Sequence, residues 1–528
     1  MPIKTLLEFA TDKMLTRLLA KERAKQRGRN RSDKHHTLDK DCDFDELSSR
    51  KKLSRLMPPR YNWVRPAKRI KNPKTALEKR KNAVKAILNT IARDKNLQKQ
   101  GQTFAYLDEQ QAFFTRIRSL LSSDDLTFQN PTLIPIYKEV DKADRHKVVC
   151  RPLSVYSRLE DKIILAITSQ YLTRYFDGCL HDNILSYRPA RTFGGEENHV
   201  TDFNDGVKLI KGFLQRHPFG PIYAADCDIK KFYDIIPHRV VVDCFNRLLG
   251  QSALSEDGRL QVMRVVKAYL NSYNFYEQAW KEAQLHDFVF YKVRRRLHDV
   301  NHTNTYIIDW PKELGNPADQ PEPRGVPQGG ALSLLVANFV LNDVDQVIVQ
   351  TPDHDRLFVR FCDDMILLHT DYDECSRLMK AYAESLESHG LIYHPFKDVA
   401  DCTRREFWGI KSHQPFLWGE GDDNSNRYIG FLGYEIQRNG HMRLRKSNIK
   451  RVDEKLDCLR YALRRFRKKH TEEEYNDYRK KKLNNVLKGF DTYKSLDQKF
   501  FENGKQYNHV KKLVDAMISM SLYYYHTL

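Results

Sequence analysis

The sequence predicts an α+β fold in which short antiparallel strands are backed by amphipathic helices. Three observations carry that expectation. Apolar runs of strand length, bounded by turn residues, recur at residues 133–155 (LIPIYKEVD, then KVVCRPLSV), 222–229 and 357–370. Between them, apolar residues fall at helical spacing, as in Leu159, Ile163, Ile164, Ala166 and Ile167. With 528 residues, 41% of them hydrophobic and 11% aromatic, the chain has enough apolar mass for about two to four lobes with a real core.

Residues 357–370 read LFVRFCDDMILLHT. Leu357, Phe358, Val359 and Phe361 lead in, and Met365, Ile366, Leu367 and Leu368 lead out. That pattern predicts a β-hairpin with Asp363 and Asp364 at its turn. Adjacent carboxylates repel, and desolvation worsens the repulsion. A hard divalent cation with oxygen ligands is the usual counter-charge. An ordinary acidic turn is the alternative for this stretch taken alone.

Charge and cysteine usage narrow the classes. The formal charge is +20 and the pI about 9.3, which suits a polyanionic partner, nucleic acid before membrane. Nine cysteines are scattered without a CxxC pair or metal-finger spacing and read as reduced thiols of a cytoplasmic protein. No segment approaches the ~20 apolar residues a membrane span needs. Leu6, Leu7, Phe9, Leu15, Leu18 and Leu19, interrupted by Glu8, Asp12, Lys13 and Arg17, predict an amphipathic helix and not a signal peptide.

In chain order, that helix runs into a basic stretch, 21–31, and an acidic one, 39–46. These are either solvated charge blocks or a nucleic-acid-binding arm. Residues 74–121 read as helical, with Ala83, Ile87 and Ile91 on one face and Phe113, Ile117, Leu120 and Leu121 on another. The presumed hairpin at 133–155 is studded with Lys138, Arg145, Lys147 and Arg151. These cations either grip a triphosphate or guard a solvent-facing edge. A helix at 158–176 and the string Ser186-Tyr-Arg-Pro follow. At 222–238, IYAADCDIKKFYDIIPH predicts a strand with Asp228 near its C-terminal end and Asp234 as the cap of the next helix. Residues 250–322 hold an aromatic helix (Tyr269, Tyr273, Phe275, Tyr276, Trp280), expected in the core, and a basic strand at 288–296. In 324–345, RGVPQGGALSLLVANFVLNDVD, a Gly-rich turn enters an apolar helix. Gly325, Gly329 and Gly330 permit close backbone approach to a ligand, and the helix N-terminus favours anions. A helix at 376–388 precedes Lys397, and YIGFLGYEI at 428–436 reads as a further strand or hairpin. From residue 442 the chain is basic and helical, and it ends in Tyr523-Tyr524-Tyr525 before the last residues.

The ordered set Asp228, Arg324 to Gly330, Asp363-Asp364, Lys397 and Phe431-Leu432-Gly433 resembles the palm of a reverse transcriptase, over about residues 133–440. RGVPQGGALS and FLGYEI are specific strings, and FCDD is a variant of the family's aromatic-x-Asp-Asp. The nearest likeness is to the bacterial group II intron and retron relatives. The resemblance implies a right-hand polymerase. Residues 1–130 would be a helical basic extension, 131–221 the fingers, 222–440 the palm, and 441–528 an α-helical thumb. The palm would be an antiparallel sheet backed by helices, with an insertion at about 250–322.

It also implies roles. Asp228, Asp363 and Asp364, with the Ile229 carbonyl, would hold two Mg²⁺ ions, Mn²⁺ being a substitute. Tyr233 would be a steric gate against a ribose 2′-OH. Gln328 and Gly329 would meet the incoming dNTP, Arg151 and Lys138 its triphosphate, and Lys397 the pyrophosphate. Phe431, Leu432 and Gly433 would form the primer grip. An RNA template, dNTPs and a DNA product follow from the resemblance, and a homo-oligomer stays open.

Some features depart from the relatives. Leu334 replaces a usual Pro, Cys362 replaces a small residue, and no endonuclease Cys/His cluster is present. By elimination the chain is most similar to the defence-associated abortive-infection and unknown-group lineage, which implies antiphage action with a non-coding RNA. Alternatives are protein-primed DNA synthesis, with Tyr523, Tyr524 or Tyr525 supplying the hydroxyl, untemplated or repetitive DNA synthesis by the same palm, an RNA-binding maturase or scaffold, and a group II intron or retron reverse transcriptase.

Overall fold

A computed structural model describes residues 4–26, 50–71, 73, 76–140, 147–281, 305–308, 310–316, 319, 322–399, 402–419 and 428–445, together with 463, 466–467 and 471–479. The sheets hold strands of both orientations among flanking helices, so the α+β expectation stands at that level.

Helices α1 (Leu6–Phe9) and α2 (Asp12–Gln26) replace the single helix expected at the start. Ala10 leaves the helical region, with φ −74° and ψ 51°. The Thr11 hydroxyl then accepts the Met14 N–H (3.3 Å) and starts the helix afresh. α3 (Arg50–Leu56), α4 (Ala76–Gln98) and α5 (Ala105–Ser122) follow. Strands β1 (Thr132–Val140) and β2 (Lys147–Val155) pair antiparallel as a hairpin, with Ile136 opposite Arg151. α6 (Leu159–Phe176), the small hairpin β3 (Arg191–Phe193) and β4 (Glu196–His199), and α7 (Phe203–Arg216) lead to β5 (Tyr223–Cys227). Next come α8 (Phe232–Ile235), α9 (His238–Gly250) and α10 (Glu256–Asn271).

Strand β6 (Thr305–Ile307) adds to the β1–β2 sheet, parallel to β2. Part of the 250–322 stretch is thereby tied to that sheet. Of its aromatics, Tyr269, Tyr273 and Phe275 are buried. Tyr276 and Trp280 are half-buried and cluster with Trp310. The basic strand expected at 288–296 lies outside the described residues.

The remaining elements are α11 (Ser333–Val349), β7 (Arg356–Phe361), β8 (Asp364–His369), α12 (Tyr372–Ser388), β9 (Phe396–Lys397), α13 (Arg404–Phe407) and β10 (Ser412–Leu417). A last sheet holds β11 (Tyr428–Phe431), β12 (Tyr434–Gln437) and β13 (Met442–Leu444).

The central sheet has the order β7-β8-β5-β10-β9. It was expected to be antiparallel, but β9 and β10 pair parallel, Ser412 beside Phe396. Parallel neighbours need a crossover of roughly a dozen residues or more, and the stretch carrying α13 supplies it. Strand alternation sends successive side chains to opposite faces. Phe358, Met365 and Leu367 enter one core with Leu15, Ile87, Phe114, Ile163 and Phe339. Val359, Ile366 and Leu368 enter a second with Ile210, Phe213, Trp418 and Ile436. The sheet is sealed on both faces, and its strand ends are left to carry polar groups. Near the C-terminal end, Leu463 and Tyr475 are buried and Phe466 stacks on Tyr478 at 4.1 Å. The expected α-helical thumb, 441–528, opens instead on strand β13, which pairing with β12 draws into the last sheet, and Tyr523 to Tyr525 lie outside the described residues. No helix among the described residues is long and apolar enough to cross a membrane.

Candidate active site

The β7–β8 hairpin closes with Phe361 opposite Asp364, so its two-residue turn is Cys362-Asp363. The expectation had placed both acids in the turn. Asp364 is instead the first residue of β8. A tight hairpin wants positive φ in its loop, and Cys362 supplies it at +60°. That backbone is held from two sides. The Cys362 N–H donates to Ser186 Oγ (2.9 Å), and its carbonyl accepts from Arg360 Nη1 (2.9 Å). Arg360 is fully buried and ion-paired with the equally buried Asp345, Nε to Oδ2 at 2.7 Å.

Strand β5 pairs antiparallel with β8, and its last pair is Cys227 with Met365. One step further along that register sets Asp228 beside Asp364. The Asp228 N–H donates to Ser412 Oγ (3.0 Å), and its carbonyl accepts the His394 N–H (2.9 Å). Its carboxylate faces Lys411 Nζ at 3.3 Å and His394 Nε2 at 3.9 Å. Ile229 bridges to Tyr393.

Asp363 and Asp364 both feel their acidic neighbours. Desolvation and then the Asp228 charge hold Asp363 above the ordinary carboxylate range. Asp364 is pushed up to about 6 by desolvation, then by Asp363 and Asp228, against the opposing pull of Arg445 and Lys411. Among the described residues, no group of three His, Cys, Asp or Glu side chains forms a ready-made metal cluster. The donor set nevertheless fits a hard cation. It is made of carboxylate oxygens whose mutual repulsion a divalent ion would relieve.

After Asp228 the chain turns through Lys231, at φ +45°, into α8. Tyr233 is half-buried with its ring edge-on to Phe232. Burial, then Cys362 and Asp363, hold its hydroxyl far above the usual tyrosine range. Asp234 caps no helix: α9 begins at Pro237 without a side-chain cap. Asp234 is buried instead and accepts Gln328 Nε2 at 2.6 Å. Burial pushes its carboxyl to about 6, while Gln328 and the charges of Lys231, Arg151 and Lys138 pull the other way. Gln328 and Arg151 therefore border the same corner, and the Arg151 charge also reaches Asp363.

The close approach expected of the glycines at 325–330 is made to the chain itself. Gly329 has φ +87°, and a Cβ there would sit 2.4 Å from Leu153 Cδ1 of β2. The Ser154 N–H donates to the Gln328 carbonyl (2.8 Å), which locks this turn to the β1–β2 sheet.

Other expected residues lie further out. Lys138 is exposed on β1, and Lys397 is exposed on the edge strand β9. The lysine on the Asp228 carboxylate is Lys411, which the sequence reading missed. It reaches the site because β10 pairs with β5, and no local pattern announces that pairing. Phe431 ends β11 opposite Tyr434, and Leu432 and Gly433 form the β11–β12 turn, at φ +49° and +85°.

Residues 270–436 match the family model for reverse transcriptase (RNA-dependent DNA polymerase). That stretch is a reverse transcriptase domain. The matched stretch contains Gln328, Asp363, Asp364, Lys397 and Phe431 to Gly433; Asp228 precedes it.

No curated protein matches the chain. Among solved structures, it is similar to telomerase from Candida albicans in complex with a fragment of telomeric RNA, with 12% identity, a TM-score of 0.35, and coverage of 84% of this chain and 73% of that one. It is likewise similar to apo telomerase from Candida tropicalis, with 12% identity, a TM-score of 0.35, and coverage of 74% and 62%. The chain thus spans less than two thirds of the length of the latter.

Proposed function

We propose that the chain makes cDNA from dNTPs on an RNA template by two-metal phosphoryl transfer. The observation that carries the reading is that Asp228 lies one step past the β5–β8 register, beside Asp364 at the start of β8 and next to the Cys362-Asp363 turn, in a chain whose residues 270–436 match a reverse transcriptase model. Asp228, Asp363 and Asp364, with the Ile229 carbonyl, are the groups to hold the metal ions. Two Mg²⁺ ions, when bound, stabilise the attacking 3′-oxygen and the leaving pyrophosphate oxygen of an in-line displacement.

The chain's own residues do the rest. Arg151 and Lys138 receive the triphosphate, Arg151 being the one whose charge reaches Asp363. Gln328, its amide oriented by Asp234, and Gly329 form the wall for the nucleotide and template. The Tyr233 ring excludes a ribose 2′-OH. Lys397 neutralises departing pyrophosphate, with Lys411 closer to Asp228. Phe431, Leu432 and Gly433 support the primer, and the basic C-terminal segment follows the duplex backbone.

The test is extension of a DNA primer on an RNA template by purified protein with Mg²⁺ and dNTPs. Wild type should extend it and the Asp363→Ala/Asp364→Ala variant should not. Incorporation by that variant would end the reading.

The motifs RGVPQGGALS and FLGYEI, with no endonuclease Cys/His cluster beside them, support a bacterial enzyme of the defence-associated lineage that copies an associated non-coding RNA. Phage challenge of cells carrying wild type or Asp363→Ala, with sequencing of the RNA and DNA that copurify, tests this. Equal protection by the two proteins, or no discrete RNA, would remove it.

A further inference from the structure

Tyr187 stands out from its surroundings. Its backbone is in the left-handed region, φ +56°, a strained conformation for a non-glycine residue of this bulk. Its side chain returns little burial for that cost, being 49% exposed. Its neighbours on either side are fixed. Ser186 is buried, with Oγ accepting the Cys362 N–H and contacting Asn338 Oδ1 at 3.2 Å. Arg188 is buried and grips Asp177 with two nitrogens, Nε at 2.6 Å and Nη2 at 3.0 Å. The ring is therefore left half exposed on a backbone fixed from both sides.

The surface it reaches is the candidate active site. The preceding residues are bonded to the hairpin itself, the Leu185 N–H donating to the Arg360 carbonyl (3.0 Å) and Ser186 Oγ accepting the Cys362 N–H (2.9 Å), so Tyr187 sits beside the turn that carries Asp363. Burial, then Cys362 and the Asp363 charge, raise the Tyr187 hydroxyl above the usual tyrosine range. The same charge acts on Tyr233, which also senses Tyr187. Two residues upstream, Leu185 packs with Phe431 and Leu432 around Gly206, so this segment also abuts the β11–β12 turn. An exposed aromatic between a carboxylate pair and that turn suits a sugar or base face of nucleic acid.

We propose that Tyr187 is a binding residue for the terminal nucleotide of the primer strand. The inference rests on the polymerase reading above and deepens it. Strain retained where it serves no packing is strain a ligand contact can explain.

The experiment compares Tyr187→Gly, Tyr187→Asn and Tyr187→Phe with wild type in the full chain. Thermal melting, primer–template affinity by fluorescence anisotropy, and steady-state extension with primer and dNTP varied separately are measured. Glycine and asparagine accept positive φ, so neither variant should melt below wild type. Both should weaken primer–template binding about tenfold, the scale of one lost stacking contact, and raise the KM for primer with the KM for dNTP little changed. Tyr187→Phe keeps the ring and should stay near wild type. The inference is overturned if the Gly and Asn variants bind and extend like wild type, or if they melt earlier with affinity intact, which marks a structural residue. It is also overturned if only the KM for dNTP moves. Wild type that extends nothing would sink the polymerase reading itself, whereas an active wild type matched by Tyr187→Gly sinks this inference alone.

Discussion

Arg360 and Asp345 meet with neither side chain exposed, Nε to Oδ2 at 2.7 Å, directly beneath the turn that carries Asp363. Arg360 also donates to the Cys362 carbonyl, so the ion pair and the turn are one unit. Removing one partner of such a pair leaves an uncompensated buried charge and costs about 3–5 kcal/mol. Asp345→Leu and Arg360→Met alone should each lose that much in chemical denaturation. The double variant should recover part of it, because apolar isosteres need no solvation. The recovered protein should still be impaired in primer extension, since the Cys362 carbonyl has lost its donor.

Asp364 is raised to about 6 by desolvation and by its acidic neighbours. In metal-free buffer, Asp364→Asn should therefore melt above wild type, because a source of repulsion is gone. Added Mg²⁺ should raise the wild-type midpoint by mass action on the folded state, and should do so less for the variant. Differential scanning fluorimetry across a Mg²⁺ titration reads both effects. A variant that melts below wild type without metal would contradict the electrostatic account.

Tyr233 contributes its ring to the site edge and only part of its area to the core. Tyr233→Val should leave the melting temperature close to wild type while relaxing sugar choice. Ratios of kcat/KM for rNTP against dNTP should rise by roughly tenfold or more, the scale of a steric contact in a shaped pocket.

Asp161, in the first turn of α6, lies far from these acids in sequence and is held at about 6, chiefly by burial, despite the Gln129 N–H and Arg158. A folded-state value above the ordinary one of about 3.9 means that the folded chain binds this proton more tightly than the unfolded chain. Its stability contribution is present below about pH 4 and is lost as pH rises to about 6. Asp161→Asn should remove that loss. The fall in melting temperature from pH 4.5 to 7 should be shallower in the variant, and an identical slope would refute the assignment.

What the sequence made legible was local. The hairpins at β1–β2, β7–β8 and β11–β12 announce themselves by apolar runs of strand length around turn residues, and the apolar face of α6 by helical spacing. The turn at Cys362-Asp363 was displaced by one residue because Asp-Asp looks more turn-like than Cys-Asp. A buried serine from elsewhere, Ser186, and the buried Arg360 two residues back hold the cysteine backbone in its unusual conformation. Asp234 looked like a cap because its partner, Gln328, is distant in sequence. Lys411 and the parallel β9–β10 pair were invisible for the same reason, since strand order is decided by tertiary packing. Acidic residues were thus easier to find than the cations that face them.

The short helix α1 is stitched to segments made much later. The Leu7 N–H donates to Gln261 Oε1, 254 residues away, and Tyr171 donates to the Lys4 carbonyl, while Leu6 and Ala10 are wholly enclosed. During synthesis at roughly 5–20 residues per second, this opening segment waits on the order of 10–50 s for its docking surface to leave the ribosome. Through that interval its leucines stand bare to other chains and to chaperones. A bulky fusion placed ahead of residue 4 would press on a seat that closes late, so tags for this protein belong elsewhere.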